Sequence, residues 1–221
     1  MLIPCTTNND YDLKTCPYCN HDLGSILTRK KKCPSCCQPI YIKYTPDDRV
    51  KRLMTELQAK HAEEQWDLYY LRQETISSLS PCGFGESHIE KERTRGARSD
   101  SEAAFDILTR YVQTKAEPHL LKIAYLTLSG YAEKEGRPFL NFVLAAHHCD
   151  LHRFKSSGLK KVRIVIAGDG NTCAECQDNS AKTYDIDDAI KSMPIPNRRC
   201  IHVVKGTRTK RCRCYYSPVL E

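Results

Sequence analysis

The apolar positions of this chain change period as the sequence runs. Two short stretches, SILT (25–28) and IYIKYT (40–45), are rich in β-branched and aromatic residues and predict strands. Residues 47–78 contain no glycine or proline, and Val50, Leu53, Met54, Leu57, Trp66, Tyr69, Tyr70 and Ile76 recur at helical spacing. This predicts a long helix, broken near His61, with Asp47 and Asp48 at its positive N-terminal end. Proline and two glycines in 80–88 predict a loop, and the polar stretch 92–100 predicts a mobile connection. Ser99 and Glu102 then form an S-x-x-E capping box ahead of a stripe of Ala104, Phe105, Leu108, Tyr111 and Val112. Pro118 suits the first position of a further helix through Leu121, Tyr125 and Leu128, ending near 135–138. Pro138 opens another through Phe142, Val143, Ala146 and Cys149, ending before Gly158. The pattern then returns to β, with VRIVIA (162–167) as a strand and Gly168–Gly170 as a turn. The reading is an α+β protein of three segments: 1–46, a mainly helical middle at 47–158, and a small β-containing module at 159–221.

Thirteen cysteines in 221 residues change that picture. The first 14 residues lack a basic stretch followed by an apolar one, so the expectation is a cytoplasmic chain with reduced thiols. No run of 18 apolar residues occurs, so no membrane span is expected. Paired C-x-x-C spacings then read as metal ligands rather than disulfides. Cys16/Cys19 and Cys33/Cys36 have the four-thiolate zinc pattern, in which each tight turn brings two sulfurs to one ion. A proline inside each pair helps preform the turn. The residue after the second cysteine of such a knuckle often takes positive φ, which suits Asn20 better than Cys37. The ligand is therefore either Cys36 or Cys37, with spacing in favour of Cys36. Residues 1–46 resemble a zinc ribbon. A thioredoxin-type redox motif would need a βαβ context that is missing here.

A second set, Cys173, Cys176, Cys200, Cys212 and Cys214, offers ligands for a second Zn2+. Either Cys212 or Cys214 completes a tetrahedron with the other three, or both serve and Cys200 does not. Cys5, Cys37, Cys82 and Cys149 read as small apolar residues. His148 and His152 are four apart on one helix face, but H-E-x-x-H is absent, and the bland reading is a histidine-favouring helix end.

Charge is concentrated on the cysteine modules: net +4 over 1–52, −4 over 53–190 and +7 over 191–221. Arg29, Lys30, Lys31 and Lys32 on the ribbon, and Arg208, Lys210, Arg211 and Arg213 near the C-terminus, are candidate nucleic-acid contacts. Basic side chains also offset the net negative charge of a four-thiolate zinc site.

The stretch from Asp169 to Cys214 resembles the C-terminal part of the phage minor head (Mu F-like head morphogenesis) family. The family pattern D-x-x-x-C-x-x-C, G-K-x-Y/F, a proline-rich stretch and a final C-R-C is met by Asp169, Cys173, Cys176, Lys182, Tyr184, Pro194/Pro196 and Cys212-Arg213-Cys214. Ala181 stands where the family has glycine, the usual His-Pro is missing, and an N-terminal ribbon is not part of that family's arrangement. The resemblance implies a virion-associated assembly protein that binds protein partners or copies of itself.

The residues support three functional classes. The first is a non-enzymatic zinc protein serving as an assembly or interaction module. The second is a nucleic-acid-binding ribbon protein acting as a regulator. The third is a zinc-dependent nuclease of the H-N-H type. YDIDDA (184–189) would supply acids for the third, but it has no neighbouring histidine, and His202 has no evident partner. No Walker loop, nucleophile elbow or deaminase signature occurs. The sequence therefore favours a non-enzyme.

Overall fold

The computed structural model describes residues 13–114, 116–168, 172–200 and 212–220. Among the described residues, seven helices and two three-stranded antiparallel sheets make it an α+β protein. The chain forms two compact units, the first running to Glu74 and the second starting at Thr75. This division falls within a helix.

In the first unit, β1 (Lys31–Lys32), β2 (Pro39–Lys43) and β3 (Arg52–Met54) form a sheet in that order. Residues 25–28 are not a strand; Leu27 is instead a buried side chain of the ribbon core. The expected helix over 47–78 begins later. Arg49 donates its backbone N–H to the Thr45 carbonyl (3.2 Å) and sits at φ 56°. Asp48 accepts the Val50 N–H at 3.0 Å and pairs with Arg52. That turn folds Leu53 back opposite Ile42 in the sheet. Asp47 and Asp48 therefore belong to a turn, not to a helix start.

Helix α1 (Glu56–Leu79) opens on a different signal. The Gln58 N–H donates to Thr55 Oγ1 (3.3 Å) and the Thr55 N–H donates to Gln58 Oε1 (2.9 Å), a reciprocal capping box. The helix runs through His61 without a break. Ala59 and Ala62 pack on Met54 and Tyr41, whereas Leu57 is 79% exposed.

The helical part of the second unit contains the end of α1 and four further α-helices: α2 (Glu86–Thr94), α3 (Asp100–Tyr111), α4 (Pro118–Lys134) and α5 (Leu140–Ser156). Ser99 caps α3 through the Glu102 N–H (3.1 Å), and Pro118 holds the first turn of α4, both as expected. Glu102 turns its carboxylate to the Arg98 N–H at 2.7 Å instead of closing the box on Ser99. Leu79, Ile89, Ala103, Ala104, Leu108, Ala124 and Leu128 form the helical core. The polar stretch expected to be mobile is partly helical. Ile89 of α2 is fully buried, and one turn on, buried Glu92 accepts hydrogen bonds from Arg95 and Arg110, both at 2.7 Å.

A second core joins the C-terminal module to α5. Strand β4 (Lys161–Val165) is central, flanked by β5 (Thr183–Asp185) and β6 (Tyr215–Pro218). Alternation turns Val162 and Ile164 inward, where they meet Leu151 and Phe154 of α5, together with Ile195 and Tyr216. The short helices α6 (Ala174–Asp178) and α7 (Ile186–Ser192) fill the connections, with Ile186 and Ala189 buried.

Burial alone would raise the Glu92 pKa, but the hydrogen bonds from Arg110 and Arg95 outweigh it and hold the carboxyl below its ordinary range. A depressed folded-state pKa stabilises above the unfolded value of about 4.3, and that contribution disappears as pH falls through the lower folded value. Glu92→Gln is expected to lower stability at neutral pH by about 1–3 kcal/mol. The difference from wild type should shrink below about pH 4, and paired urea denaturation curves at the two pH values check it.

Candidate metal centres

Each N-terminal knuckle is built by the same two backbone hydrogen bonds. The Cys16 N–H donates to the His21 carbonyl (2.9 Å) and the Asn20 N–H to the Cys16 carbonyl (2.9 Å). In the second knuckle the Cys33 N–H donates to Gln38 (2.9 Å) and the Cys37 N–H to Cys33 (3.0 Å). The closing residues, Asn20 at φ 59° and Cys37 at φ 58°, both take the left-handed conformation. Cys37 thus occupies the turn-closing position, and its side chain is exposed. Cys36 is the residue whose sulfur joins Cys16, Cys19 and Cys33 in one cluster.

The spacing of the sulfurs tests the fit to zinc. Four sulfurs at about 2.3 Å from a tetrahedral ion lie about 3.8 Å apart. Cys16 Sγ lies 3.8 Å from Cys36 Sγ, and Cys19 Sγ lies 3.7 Å from Cys33 Sγ. A disulfide would bring a pair to about 2.05 Å, and these cysteines are free thiols. The thiols are electrostatically inequivalent. Backbone N–H groups of Cys36 and Ser35 stabilise the Cys33 thiolate and lower its pKa to about 6. The Gln38 amide acts the same way on Cys36, but burial and the neighbouring thiols prevail and push it up to about 12. Four thiolates around one point would need a cation to coexist, and a divalent ion would supply it.

The C-terminal cluster is arranged differently. Cys173, Cys176 and Cys200 form one triad and Cys176, Cys212 and Cys214 another, so Cys176 belongs to both. Sγ separations are 3.8 Å for Cys173–Cys200, 3.9 Å for Cys176–Cys200 and 3.8 Å for Cys176–Cys212, again the tetrahedral edge. All five residues are buried within the β4–β6 core. Cys176 sits in α6, Cys200 follows the cis Ile195–Pro196 peptide, and Cys212 and Cys214 lead into β6. The Cys214 side chain, followed by N–H groups of Cys214 and Asn197, lowers Cys212 to about 5 against the effect of burial. Burial raises Cys176.

Other candidates fare less well. The rings of His148 and His152 lie 4.4 Å apart on α5 but belong to no set of three metal-ligating groups among the described residues. Asp187 of YDIDDA is held by Lys155 at 2.5 Å. Lys31 and Lys32 form β1, while Lys30 donates to Tyr41 Oη (2.9 Å) and lies over its ring (4.1 Å). Arg29 is exposed beside them. Arg208, Lys210 and Arg211, with Asp169 and His202, lie outside the described residues, and Arg213 lies between Cys212 and Cys214. Ala181, at the position where the head-morphogenesis pattern has glycine, adopts φ 60°. Its N–H is pinned to the Ile164 carbonyl at 3.0 Å.

Cys33→Ser or Cys36→Ser should each cost one metal ion per chain, and Cys37→Ser none, by elemental analysis of purified protein. Ala181→Gly should raise stability by about 1 kcal/mol, because glycine reaches the left-handed region without the Cβ penalty; a thermal melt checks it.

Comparison with protein-family models, with curated proteins and with solved structures found no match. The functional reading of the chain therefore rests on its two groups of cysteines.

Proposed function

We propose that this chain is a non-enzymatic zinc protein whose two structural ions hold interaction surfaces for a protein partner or for copies of itself. The observation that carries the reading is the 3.7–3.9 Å spacing of sulfurs in two separate clusters. Such spacing suits Zn2+, and a coordination sphere filled by four thiolates keeps no open position for water or substrate. The first ion takes Cys16, Cys19, Cys33 and Cys36. The second takes Cys176 with three of the four cysteines around it.

The assembly role is supported by the cysteine, lysine, tyrosine and proline pattern of the C-terminal module. The left-handed backbone at Ala181 adds to it, since that conformation is the physical reason for a glycine there. The same reading places the protein in the cytoplasm or on a virion. No described helix is long and apolar enough to cross a membrane.

Protein purified without added metal should carry two zinc ions per chain. Cys176→Ser should leave one, whichever of its neighbours are ligands, because both triads need that sulfur. One ion in the wild type would remove the C-terminal centre. A divalent-metal-dependent nuclease activity lost in Cys176→Ser would overturn the non-enzymatic reading.

A further inference from the structure

Helix α1 spends its apolar stripe unevenly. Ala59 and Ala62 are buried, but Trp66, Tyr69 and Tyr70, next along the same face, are covered by no core. They gather instead around Tyr44, just beyond β2. Trp66 meets Tyr44 and Tyr69 edge-on, both with centroids at 5.4 Å, and stacks on Tyr70 at 5.3 Å and 30°. The Trp66 indole N–H donates to the Tyr44 carbonyl (2.7 Å), which fixes the ring. Tyr70 remains 62% exposed and Tyr44 46%.

These rings wall an open cleft of about 440 Å³, and the remaining lining is Arg49 and Lys51. The volume is in the range of small-molecule sites. The lining has four aromatics, two cations and no carboxylate. Asp48, the acid nearest Arg49 in sequence, is committed to Arg52 and to the Val50 N–H. Arg49 projects from a left-handed turn position and reaches Tyr69 Oη at 3.4 Å.

The charge selects the occupant. An aromatic cage for a quaternary ammonium uses the negative faces of its rings, and two cations in its wall would repel such a ligand. A purely apolar helix would leave Arg49 and Lys51 desolvated without partners. A ligand with flat π-faces and negative charges at short intervals satisfies both halves of the lining. Stacking platforms beside cationic grooves bind single strands in this way.

We propose that this cleft binds single-stranded nucleic acid, with a base stacked on the exposed Tyr70 ring and neighbouring phosphates held by Arg49 and Lys51. The site is distinct from the basic residues 29–32 and goes beyond the zinc-module reading.

Trp66 is the single tryptophan of the chain, so its fluorescence reports on this cleft alone. The full-length, metal-loaded protein would be titrated with short oligothymidylate, oligouridylate and a duplex of equal length. The expected result is saturable quenching by one or both single strands and weaker binding of the duplex. Tyr70→Ala should weaken affinity roughly tenfold. Arg49→Ala and Lys51→Ala should each reduce the salt slope by about 0.7. Tyr70, Arg49 and Lys51 are exposed, and zinc content measured on the same samples verifies that each variant is folded. Lys31→Ala/Lys32→Ala should bind like wild type. Absence of saturable quenching, equal affinity for duplex, unchanged binding in Tyr70→Ala, or loss of binding only in the Lys31/Lys32 variant would each overturn the proposal.

Discussion

The first unit depends on four thiols held around one point. Among the described residues, its ribbon core has Cys16, Leu27, Cys33 and Ile40 as the buried apolar side chains, with Leu23, Ile42 and Leu53 partly buried against them, and two of the four buried residues are cysteines of the thiol cluster. Two aliphatic side chains fully buried supply a few kcal/mol, which is less than the backbone entropy of ordering such a segment. Metal binding free energy closes that gap in small modules, because the site does not exist in the unfolded chain. The ribbon in turn positions the start of α1. Tyr18, inside the first knuckle, accepts the Glu56 N–H through its hydroxyl at 2.7 Å, satisfying a free donor at that helix end. Lys43 of β2 meets Glu63 of the same helix at 2.8 Å.

The C-terminal cluster has a different relation to its surroundings. Its sulfurs share a core with Leu151, Val162, Ile164, Ile186, Ile195 and Tyr216. Helix α5 contributes to this core and, through Lys122–Asp150 at 2.6 Å, is also clamped to α4. Much of the module's burial is thus hydrocarbon, and a metal held by these sulfurs would add to a core that already has substance. This is why the second unit extends from Thr75 through the C-terminal strands instead of ending where the helices end.

Legibility in the sequence tracks the range of the interactions. The knuckles are local: C-x-x-C spacing, proline and the left-handed Asn20 lie within five residues, and all can be read directly. Capping of α3 by Ser99 and the Pro118 start of α4 are local too. The TELQ capping box at 55–58 is equally present but is overshadowed by a run without glycine or proline. Strand β3 is illegible because Leu53 and Met54 fit either period, and only pairing with β2, about twelve residues away, decides between them. Helix α2 is hidden because one apolar anchor, Ile89, suffices when Glu92 is satisfied by two arginines, one of them eighteen residues distant. The ligand count of the second centre is also out of reach, since the sharing of Cys176 between two triads is a tertiary property.

Periodicity has a further limit, and α1 shows it. A helical stripe tells which side chains share a face and says nothing about what covers that face. Ala59 and Ala62 are covered because small side chains let the helix approach β2 and β3 closely. Four positions on, Trp66 is too large for such an approach, and the stripe becomes a wall of rings held by one another and by the Tyr44 carbonyl. Side chains that are ordered without being buried have already lost their rotamer freedom on folding, so a ligand stacking on them meets a smaller entropic cost. The residues that share a helical stripe in the sequence are, for that physical reason, a prearranged surface in the fold.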